Sequence, residues 1–319
     1  MTLMASGQLT ASPGELDSQM TLTVVILTRD EEKHIRRCIQ SVIAVADHCV
    51  VVDSGSIDNT VEIARSMGAQ VLVNPWINYA TQFNWAIRSL PADTEWILRL
   101  DADEVVSAEL LSEIHERLPS VDDSVEGVYL SRRMKFLGHP IRWGGLFPLR
   151  VLRLFRSGRG RCEDRWMDEH ILVSGKTIDF SGEIVDDNLN TITWWIQKHN
   201  AYASREVVDL LNLEFGLMPF ETVASLRDGQ QAGLKRWFKE RAYVRLPVGM
   251  RAFLYFVYRY IIRLGFLDGF EGTAFHVLQG FWYRYLVDIK LYETRKYMKR
   301  NGVDAVVAIR DVLGIEVSS

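Results

Sequence analysis

The spacing of hydrophobic and polar positions changes repeatedly over the first 120 residues, and each change predicts a new element. Short apolar runs alternate with segments whose apolar positions recur every three or four residues. The runs predict buried strands at Leu22–Leu27, Cys49–Val52, Gln70–Val73 and Trp96–Leu100. The periodic segments predict helices at Glu31–Val45, Asp58–Met67 and Tyr79–Leu90, and a fourth helix after an N-cap at Ser107. This order predicts an α/β fold with a mostly parallel sheet covered by helices.

Beyond residue 120 the pattern is less regular. Short strands are predicted at Gly127–Ser131, Val151–Phe155 and Ile171–Val173, among loops rich in Gly, Arg and Trp. From Ile192 onward the chain is predicted to be helical. No internal repeat interrupts this order, so we expect an α/β domain followed by a helical extension.

Carboxylates follow two of the predicted strands. Asp53 ends the second strand, and Asp101-Ala102-Asp103 follows the fourth. The carboxyl ends of parallel strands form the edge at which α/β sheets bind nucleotides. Asp101 and Asp103 can share Mg²⁺ or Mn²⁺ and the diphosphate that the cation carries, although a solvated acidic loop is an alternative. We expect Glu104 to lie in the first turn of the next helix, where the helix dipole favours it.

The turn after the second strand offers a second ligand contact. Ser54-Gly55-Ser56 lets the backbone approach a ligand closely, and Asp53 could accept hydrogen bonds from a ribose or a base. Asp58 is better explained as a helix cap.

Asp168-Glu169-His170 is a compact acid/base cluster in the second half of the chain. A carboxylate here could deprotonate an acceptor hydroxyl. The competing interpretation is a structural ion pair with Arg153, Arg161 or Arg165. His170 could complete a metal site, although a lone histidine more often packs or forms hydrogen bonds.

Four rings at the start of the helical part could form a wall on which a sugar stacks, with core packing as the alternative. They are Trp194, Trp195, His199 and Tyr202.

Composition is that of a globular protein, with 48% hydrophobic and 24% charged residues among 319. Three widely spaced cysteines, with no signal-peptide pattern, indicate a reducing, cytoplasmic compartment. Residues 1–20 are predicted to be a disordered tail, and no apolar run reaches the roughly 18–20 residues of a spanning helix.

The net charge of −4 hides an asymmetry. Residues 235–300 carry 14 Lys and Arg against 5 Asp and Glu, a balance of +9, and 17 of the 34 aromatic residues. Within this segment Met250–Leu264 predicts an amphipathic helix with Arg251, Arg259 and Arg263 on one side. Such a helix fits the headgroup region of an anionic bilayer, and a helix packed on the catalytic domain is the alternative. The clustered apolar aromatics argue against nucleic-acid binding.

The motifs resemble those of the family 2 glycosyltransferases, over residues 21–120 in particular. Thr28-Arg29-Asp30-Glu31-Glu32 is similar to an opening Thr-x-Asn-Glu-Glu motif, Asp53-Ser54-Gly55-Ser56 to a donor-binding turn, and Asp101-Ala102-Asp103 to a metal motif. Trp76–Ile87 is similar to a segment of members that build lipopolysaccharide core and exopolysaccharide.

The resemblance implies a GT-A fold, Rossmann-like and mostly parallel, and inverting transfer from a nucleotide-diphosphate donor such as a UDP-sugar. It implies donor contacts at Thr28, Arg29, Glu31, Asp53, Gln82, Asn84, Asp101 and Ala102. It implies a metal on Asp103 and Asp101 and a catalytic base at Glu169, or Asp168 in its place, while His170 stays a candidate for a further metal ligand.

We therefore expect a GT-A domain over residues 21–230 and a membrane-associating helical extension over 231–319. The acceptor is expected to be a bacterial cell-envelope glycan or its lipid-linked precursor, reached from the cytoplasmic face of the inner membrane. A sugar-nucleotide pyrophosphorylase is disfavoured because Thr28–Glu32 has no glycine, and a dinucleotide dehydrogenase because Gly-x-Gly-x-x-Gly is absent. A non-catalytic membrane scaffold that binds a nucleotide sugar is the alternative from another class.

Overall fold

The computed structural model of the chain describes residues 20–163, 170–217 and 248–317. Its first part has the predicted alternation of strands and helices. The elements are β1 Leu22–Thr28, α1 Ile35–Gln40, β2 His48–Asp53, α2 Thr60–Ser66, β3 Gln70–Val73, α3 Tyr79–Arg88 and β4 Trp96–Asp101. The helix predicted over Glu31–Val45 is confined to α1, with turns on either side. Asp58 accepts the Thr60 N–H at 3.0 Å, one residue before the N-cap of α2.

These four strands are parallel and lie in the order β3-β2-β1-β4. The strand runs are largely apolar because helices cover both faces of a parallel sheet. Leu22, Val24 and Ile26 pack on the face that α1 covers, whereas Val25 and Leu27 pack on the face that α3 covers. The carboxyl ends of β1, β2 and β4 therefore share one edge.

The sheet continues beyond β4 with strands of mixed direction. Its further elements are β5 Glu104–Val106, α4 Ala108–Arg117, β6 Val125–Phe136, β7 His139–Pro140, β8 Leu149–Arg156 and β11 Lys176–Asp187. β8 is antiparallel to both β4 and β6, β11 is parallel to β6, and β5 is antiparallel to β11. β9 Gly160–Cys162 and β10 Ile171–Val173 pair with each other. The expected α/β core, with its Rossmann-like parallel half and helices after the sheet, is confirmed.

Four strands, β5, β7, β9 and β11, were absent from the sequence-based prediction. Glu104, expected in the first turn of α4, instead begins β5 and is fully buried. The dipole explanation for Glu104 is therefore wrong, since its carboxylate accepts from Arg132 Nε at 2.7 Å and from Arg153 at 3.3 Å. β11 places Gly182 against the backbone of Leu110 in α4, where a Cβ would overlap with Leu110.

The helical part begins with α5 Ile192–Phe215. It continues with α6 Met250–Val257, α7 Gly269–Phe275, α8 Tyr283–Asn301 and α9 Ala305–Ala308, and π-helical turns at Tyr258–Ile262 and His276–Trp282 join successive helices. α5 and α8 share a core that includes Val207, Leu211, Val287 and Leu291. The predicted boundary between the two domains, at residues 230 and 231, lies outside the described residues, as does nearly all of the predicted tail. The domain bounds therefore stay a prediction.

The arginine face predicted for Met250–Leu264 does not point outward. Arg259 is 2% exposed, and the Arg251 guanidinium is ion-paired with the buried Asp288 of α8. Only Arg263 of the three is exposed. The outward side is apolar instead, and its exposed side chains include Phe253, Ile261, Ile262, Phe266, Leu267 and Phe270, which we call the apolar surface. The prediction was wrong because helical spacing alone does not reveal which face another helix covers.

Across the described ranges no helix has both the length and the hydropathy required to cross a bilayer.

Candidate active site

The ends of three parallel strands bring predicted site residues together. Thr28 of β1 is opposite Asp53 of β2, and Leu27 is opposite Asp101 of β4. Beside this edge lies a cavity of about 840 Å³. Seven of the predicted site residues line it, namely Thr28, Arg29, Glu31, Gln82, Asp101, Ala102 and Asp103. The sequence therefore located the floor of the cavity.

Asp101 is held by cations from the mixed half of the sheet. Arg153 Nη2 is 2.9 Å from Asp101 Oδ2, and Arg99 Nη2 is 3.8 Å from Oδ1. Burial alone would raise the pKa of Asp101, but Arg153 and Arg99 hold that pKa well below its usual range. Asp101 is therefore an anion throughout the physiological range. Its Oδ1 atom is buried without a hydrogen-bond partner.

Asp103 belongs to the same group of carboxylates. Its Oδ2 accepts a hydrogen bond from Asn188 Nδ2 at 2.9 Å, which connects the edge of the sheet to the segment before α5. The neighbouring Asp186 is ion-paired with Arg132 at 2.8 Å. Burial raises the pKa of Asp186 to about 7, with Asp103 and Glu104 adding to the rise and Arg132 opposing it. The carboxylates at this end of the cavity thus repel one another, and Arg132 does not fully offset that repulsion at Asp186.

These carboxylates provide the hard oxygen donors that Mg²⁺ and Mn²⁺ prefer, and the partnerless Asp101 Oδ1 is available for such an ion. The two aspartates therefore fit the metal that the motif implies. Residues 20–163, 170–217 and 248–317 contain no group of three or more His, Cys, Asp and Glu side chains placed to hold a metal by themselves. Any cation here would complete its shell with ligand oxygens.

Asp53 and Asn84 are predicted donor contacts that are not among the described lining residues. Asp53 is 2% exposed, and its carboxylate accepts from the Gly55 and Ser56 N–H groups at 2.8 and 2.9 Å. Asn84 exchanges two hydrogen bonds with the backbone of Cys162. Asp53 thus holds its turn in place and Asn84 holds the end of β9, and the donor contacts of both stay predictions.

Gln82 does line the cavity, and its amide pairs with Asn74 through the Asn74 carbonyl at 3.1 Å and side chain at 2.8 Å. Glu31 also lines it and contacts His34 Nδ1 at 2.5 Å. These bonds fix the orientation of the two side chains.

The predicted base cluster is described only at its last residue. Asp168 and Glu169 lie outside the described residues. His170 is 61% exposed, 3.6 Å from Glu163, and is not among the described residues that line the cavity. The structure therefore does not bring His170 to Asp101 and Asp103.

All four rings of the predicted wall line the cavity from α5. Trp195 and His199 are stacked, with ring centroids 3.4 Å apart and planes at 21°. Burial lowers the pKa of His199 to about 4, and its Nδ1 is 2.9 Å from the Trp195 carbonyl, so the ring is neutral at pH 7. Trp195 also packs on Phe136 of β6, which means that it serves the core as well as the cavity.

Apart from Arg29, sequence reasoning did not assign the basic residues of the cavity to the site. Arg132 and Arg153 lie within strands, where a charged residue on an otherwise apolar face is a signal for a buried partner. Lys198 and Arg205 recur on α5 with the helical spacing of Trp194 and Tyr202, and this periodicity could have identified them.

The chain is similar to known glycosyltransferases. The model of the family "Glycosyl transferase family 2" matches residues 23–167. An uncharacterized glycosyltransferase of Rickettsia prowazekii is 30% identical over 301 residues, covering 88% of this chain and 97% of that protein. The lipopolysaccharide core biosynthesis glycosyltransferase LpsC of Rhizobium meliloti is 30% identical over 150 residues, covering 46% and 54%.

Among solved structures, glucosyl-3-phosphoglycerate synthase from Mycobacterium tuberculosis, in complex with Mn²⁺, UDP and phosphoglyceric acid, is 18% identical. The alignment covers 40% of this chain and 50% of that chain, with a TM-score of 0.31.

Proposed function

The chain belongs to glycosyltransferase family 2, and from this premise we propose that it transfers a sugar, with inversion, from a UDP-sugar to a bacterial cell-envelope glycan or its lipid-linked precursor. The observation that carries the proposal is the cavity at the strand ends, whose floor is formed by Asp101 and Asp103. The likeness to LpsC, a lipopolysaccharide core enzyme by name, supports the choice of acceptor.

Asp101 and Asp103 are the residues that would hold Mg²⁺ or Mn²⁺. When bound, the ion supplies positive charge that stabilises the departing nucleoside diphosphate. Arg153 and Arg99 keep Asp101 ionised and fixed, and Asn188 orients Asp103. The chain thus positions two hard anionic ligands before a substrate arrives, which limits reorganisation during the reaction.

The proposed base is Glu169, with Asp168 as the alternative, and both lie outside the described residues. The base accepts the proton of the acceptor hydroxyl while that oxygen bonds to the anomeric carbon. The bond from this carbon to the diphosphate oxygen breaks on the opposite face, and its electrons leave with the nucleoside diphosphate. Because the acceptor oxygen attacks from the face opposite the departing diphosphate, the anomeric configuration is inverted.

We also propose that the protein acts on the cytoplasmic face of the inner membrane, bound peripherally through its apolar surface. Phe270 is 78% exposed and Ile262 is 65% exposed, and exposed aliphatic and aromatic side chains bury favourably at a bilayer interface. Arg142 and Arg263 are exposed beside them and would contact anionic headgroups. This arrangement replaces the buried arginines as the basis for membrane binding.

Vesicle co-sedimentation tests the membrane proposal. Replacing Ile262 and Phe270 together with Ser should reduce binding to anionic vesicles at least tenfold, because both lie on the apolar surface. The matched control is Leu213→Ser, at a position on α5 that is 58% exposed and apart from that surface. Equal binding of the two variants to the vesicles would show that the apolar surface does not bind the membrane.

A panel of nucleotide sugars with Mn²⁺ tests the enzymatic proposal by release of nucleotide. We expect release with one or more UDP-sugars, loss of release with a chelator, and at least a hundredfold loss in Asp103→Ala. Glu109→Ala, an exposed change on α4, serves as the matched carboxylate control. Binding of the sugar nucleotide without turnover would favour the non-catalytic scaffold instead.

A further inference from the structure

One face of α5 combines aromatic rings with positive charge. Trp194, Lys198, Tyr202 and Arg205 recur at intervals of four, four and three residues, so they share a face, and all four line the cavity. Lys198 Nζ is 4.6 Å from the centroid of the Trp194 ring, and Arg205 Cζ is 5.8 Å from that of Tyr202. The face is thus a row of alternating rings and cations.

Most cations of the cavity wall are already neutralised. Arg132 and Arg153 pair with Asp101, Glu104 and Asp186, Lys135 pairs with Asp187, and Arg284 pairs with Glu206 at 2.7 Å. In the described part of the chain, by contrast, no carboxylate lies within salt-bridge distance of Lys198 or Arg205. Cations that face a cavity without a carboxylate partner are available for an anionic ligand.

The two cations of α5 lie at different distances from the donor edge. Burial lowers the pKa of Lys198, but the effects of Tyr202, Asp103 and Glu31 raise it overall. Lys198 lines the same cavity as Asp103 and Glu31 and lies in the second turn of α5, so it is nearer the donor edge. Arg205 is seven residues further along α5, about 10 Å along the helix axis. The hydrogen bond from Asn188 to Asp103 fixes the start of the helix at the donor edge, so Arg205 lies on the far side of the cavity.

The chemistry beside Arg205 suits a charged saccharide. A guanidinium presents a planar fork of N–H donors that matches the oxygens of a phosphate or a carboxylate. Tyr202 next to it offers a ring face for the C–H groups of a sugar. We propose that Arg205 and Tyr202 form an acceptor subsite that binds a negatively charged group, phosphate or carboxylate, on the acceptor saccharide. This inference rests on the proposed function, because the subsite can bind an acceptor only if the protein transfers a sugar.

The experiment measures binding of three probes to the full chain with Mn²⁺, in the presence and absence of saturating UDP. Glucose 6-phosphate carries a phosphate, glucuronic acid carries a carboxylate, and glucose is neutral. We expect at least one anionic probe to bind ten times more tightly than glucose by calorimetry or saturation-transfer NMR, and UDP not to displace it. The more tightly bound probe identifies the anion that the subsite prefers.

Arg205→Gln should weaken binding of the anionic probe at least tenfold while UDP affinity stays unchanged. Arg205→Lys should restore part of it. Arg295→Gln, a change on α8 at a residue that pairs with Glu214, is the matched control and should bind like the native protein. Equal binding of glucose and the anionic probes, displacement of the anionic probe by UDP, or unchanged binding by Arg205→Gln would each overturn the subsite. Failure to bind UDP would count against the proposed function alone, because the probes are also measured without it.

Discussion

Asp268 connects the mixed sheet to the C-terminal helices, and its replacement by Ala should destabilise the protein. The carboxylate is 3% exposed and accepts the Trp143 N–H at 2.9 Å and the Arg142 N–H at 3.1 Å. Both donors follow β7, in the loop that leads on to β8. The segment Gly265–Asp268 therefore holds that loop through two backbone hydrogen bonds to one buried charge.

The magnitude follows from those two bonds. A hydrogen bond to a charged group contributes about 1.5–3 kcal/mol, and partial solvation of the freed N–H groups returns some of the loss. We expect Asp268→Ala to lower the free energy of unfolding by about 3 kcal/mol and Asp268→Asn by about 2 kcal/mol. The control is Asp304→Ala, which removes a single N-cap bond to the exposed Val307 N–H and should cost about 1 kcal/mol.

Urea unfolding followed by far-UV circular dichroism measures these differences, and amide hydrogen exchange locates them. The Arg142 and Trp143 amides should exchange faster in Asp268→Ala, while the amides of β1 and β2 keep their protection. A loss no greater than that of Asp304→Ala, or unchanged exchange at Arg142 and Trp143, would refute the reasoning.

Three further perturbations have defined outcomes. Glu104→Gln should cost about 3 kcal/mol in urea unfolding, because Arg132 and Arg153 lose a buried counter-charge, whereas Glu109→Gln at an exposed position should change stability by less than about 0.5 kcal/mol. Gly182→Ala should lower the free energy of unfolding by about 3 kcal/mol or more, because the added Cβ would overlap with Leu110 of α4. Ser181→Ala is the control, and an equal loss of stability in that protein would contradict the overlap. The folded pKa of His199 lies below its unfolded value, so its contribution is present above about pH 6.5 and is lost as pH falls toward 4. Because solvent reaches part of the ring and screens the effect, the free energy of unfolding of His199→Phe should fall by only about 1–2 kcal/mol less than that of the native protein over that interval. Parallel curves of unfolding free energy against pH would exclude the histidine.

The parts of the fold that local pattern determines were predictable. β1 to β4 are largely apolar runs, and the acidic residues after β4 led to the prediction of Asp101 and Asp103 as site residues. β11 was missed because charged residues interrupt it, although Ile178, Phe180 and Ile184 show the alternation of a strand.

What the sequence could not provide was the identity of distant partners. The helical spacing of Arg251 predicted an arginine face directed at lipid headgroups, yet its partner Asp288 belongs to a helix that lies later in the chain. The arginines that fix Asp101 were missed for the same reason. Whether a charged side chain is buried depends on which helices and strands pack together, and the short-range periodicity of a sequence does not show this.

The order of the strands in the sheet has a consequence for a chain that is still being synthesised. β1 to β4 are complete once residue 101 has left the ribosome, whereas β8, which covers the other edge of β4, ends at Arg156. Until then β4 exposes an unpaired edge that could pair with another nascent chain. Asp101 and Glu104 stand at the end of that edge, and Arg153, which pairs with both, is synthesised only later. Their negative charges would therefore discourage pairing between nascent chains until β8 covers the edge.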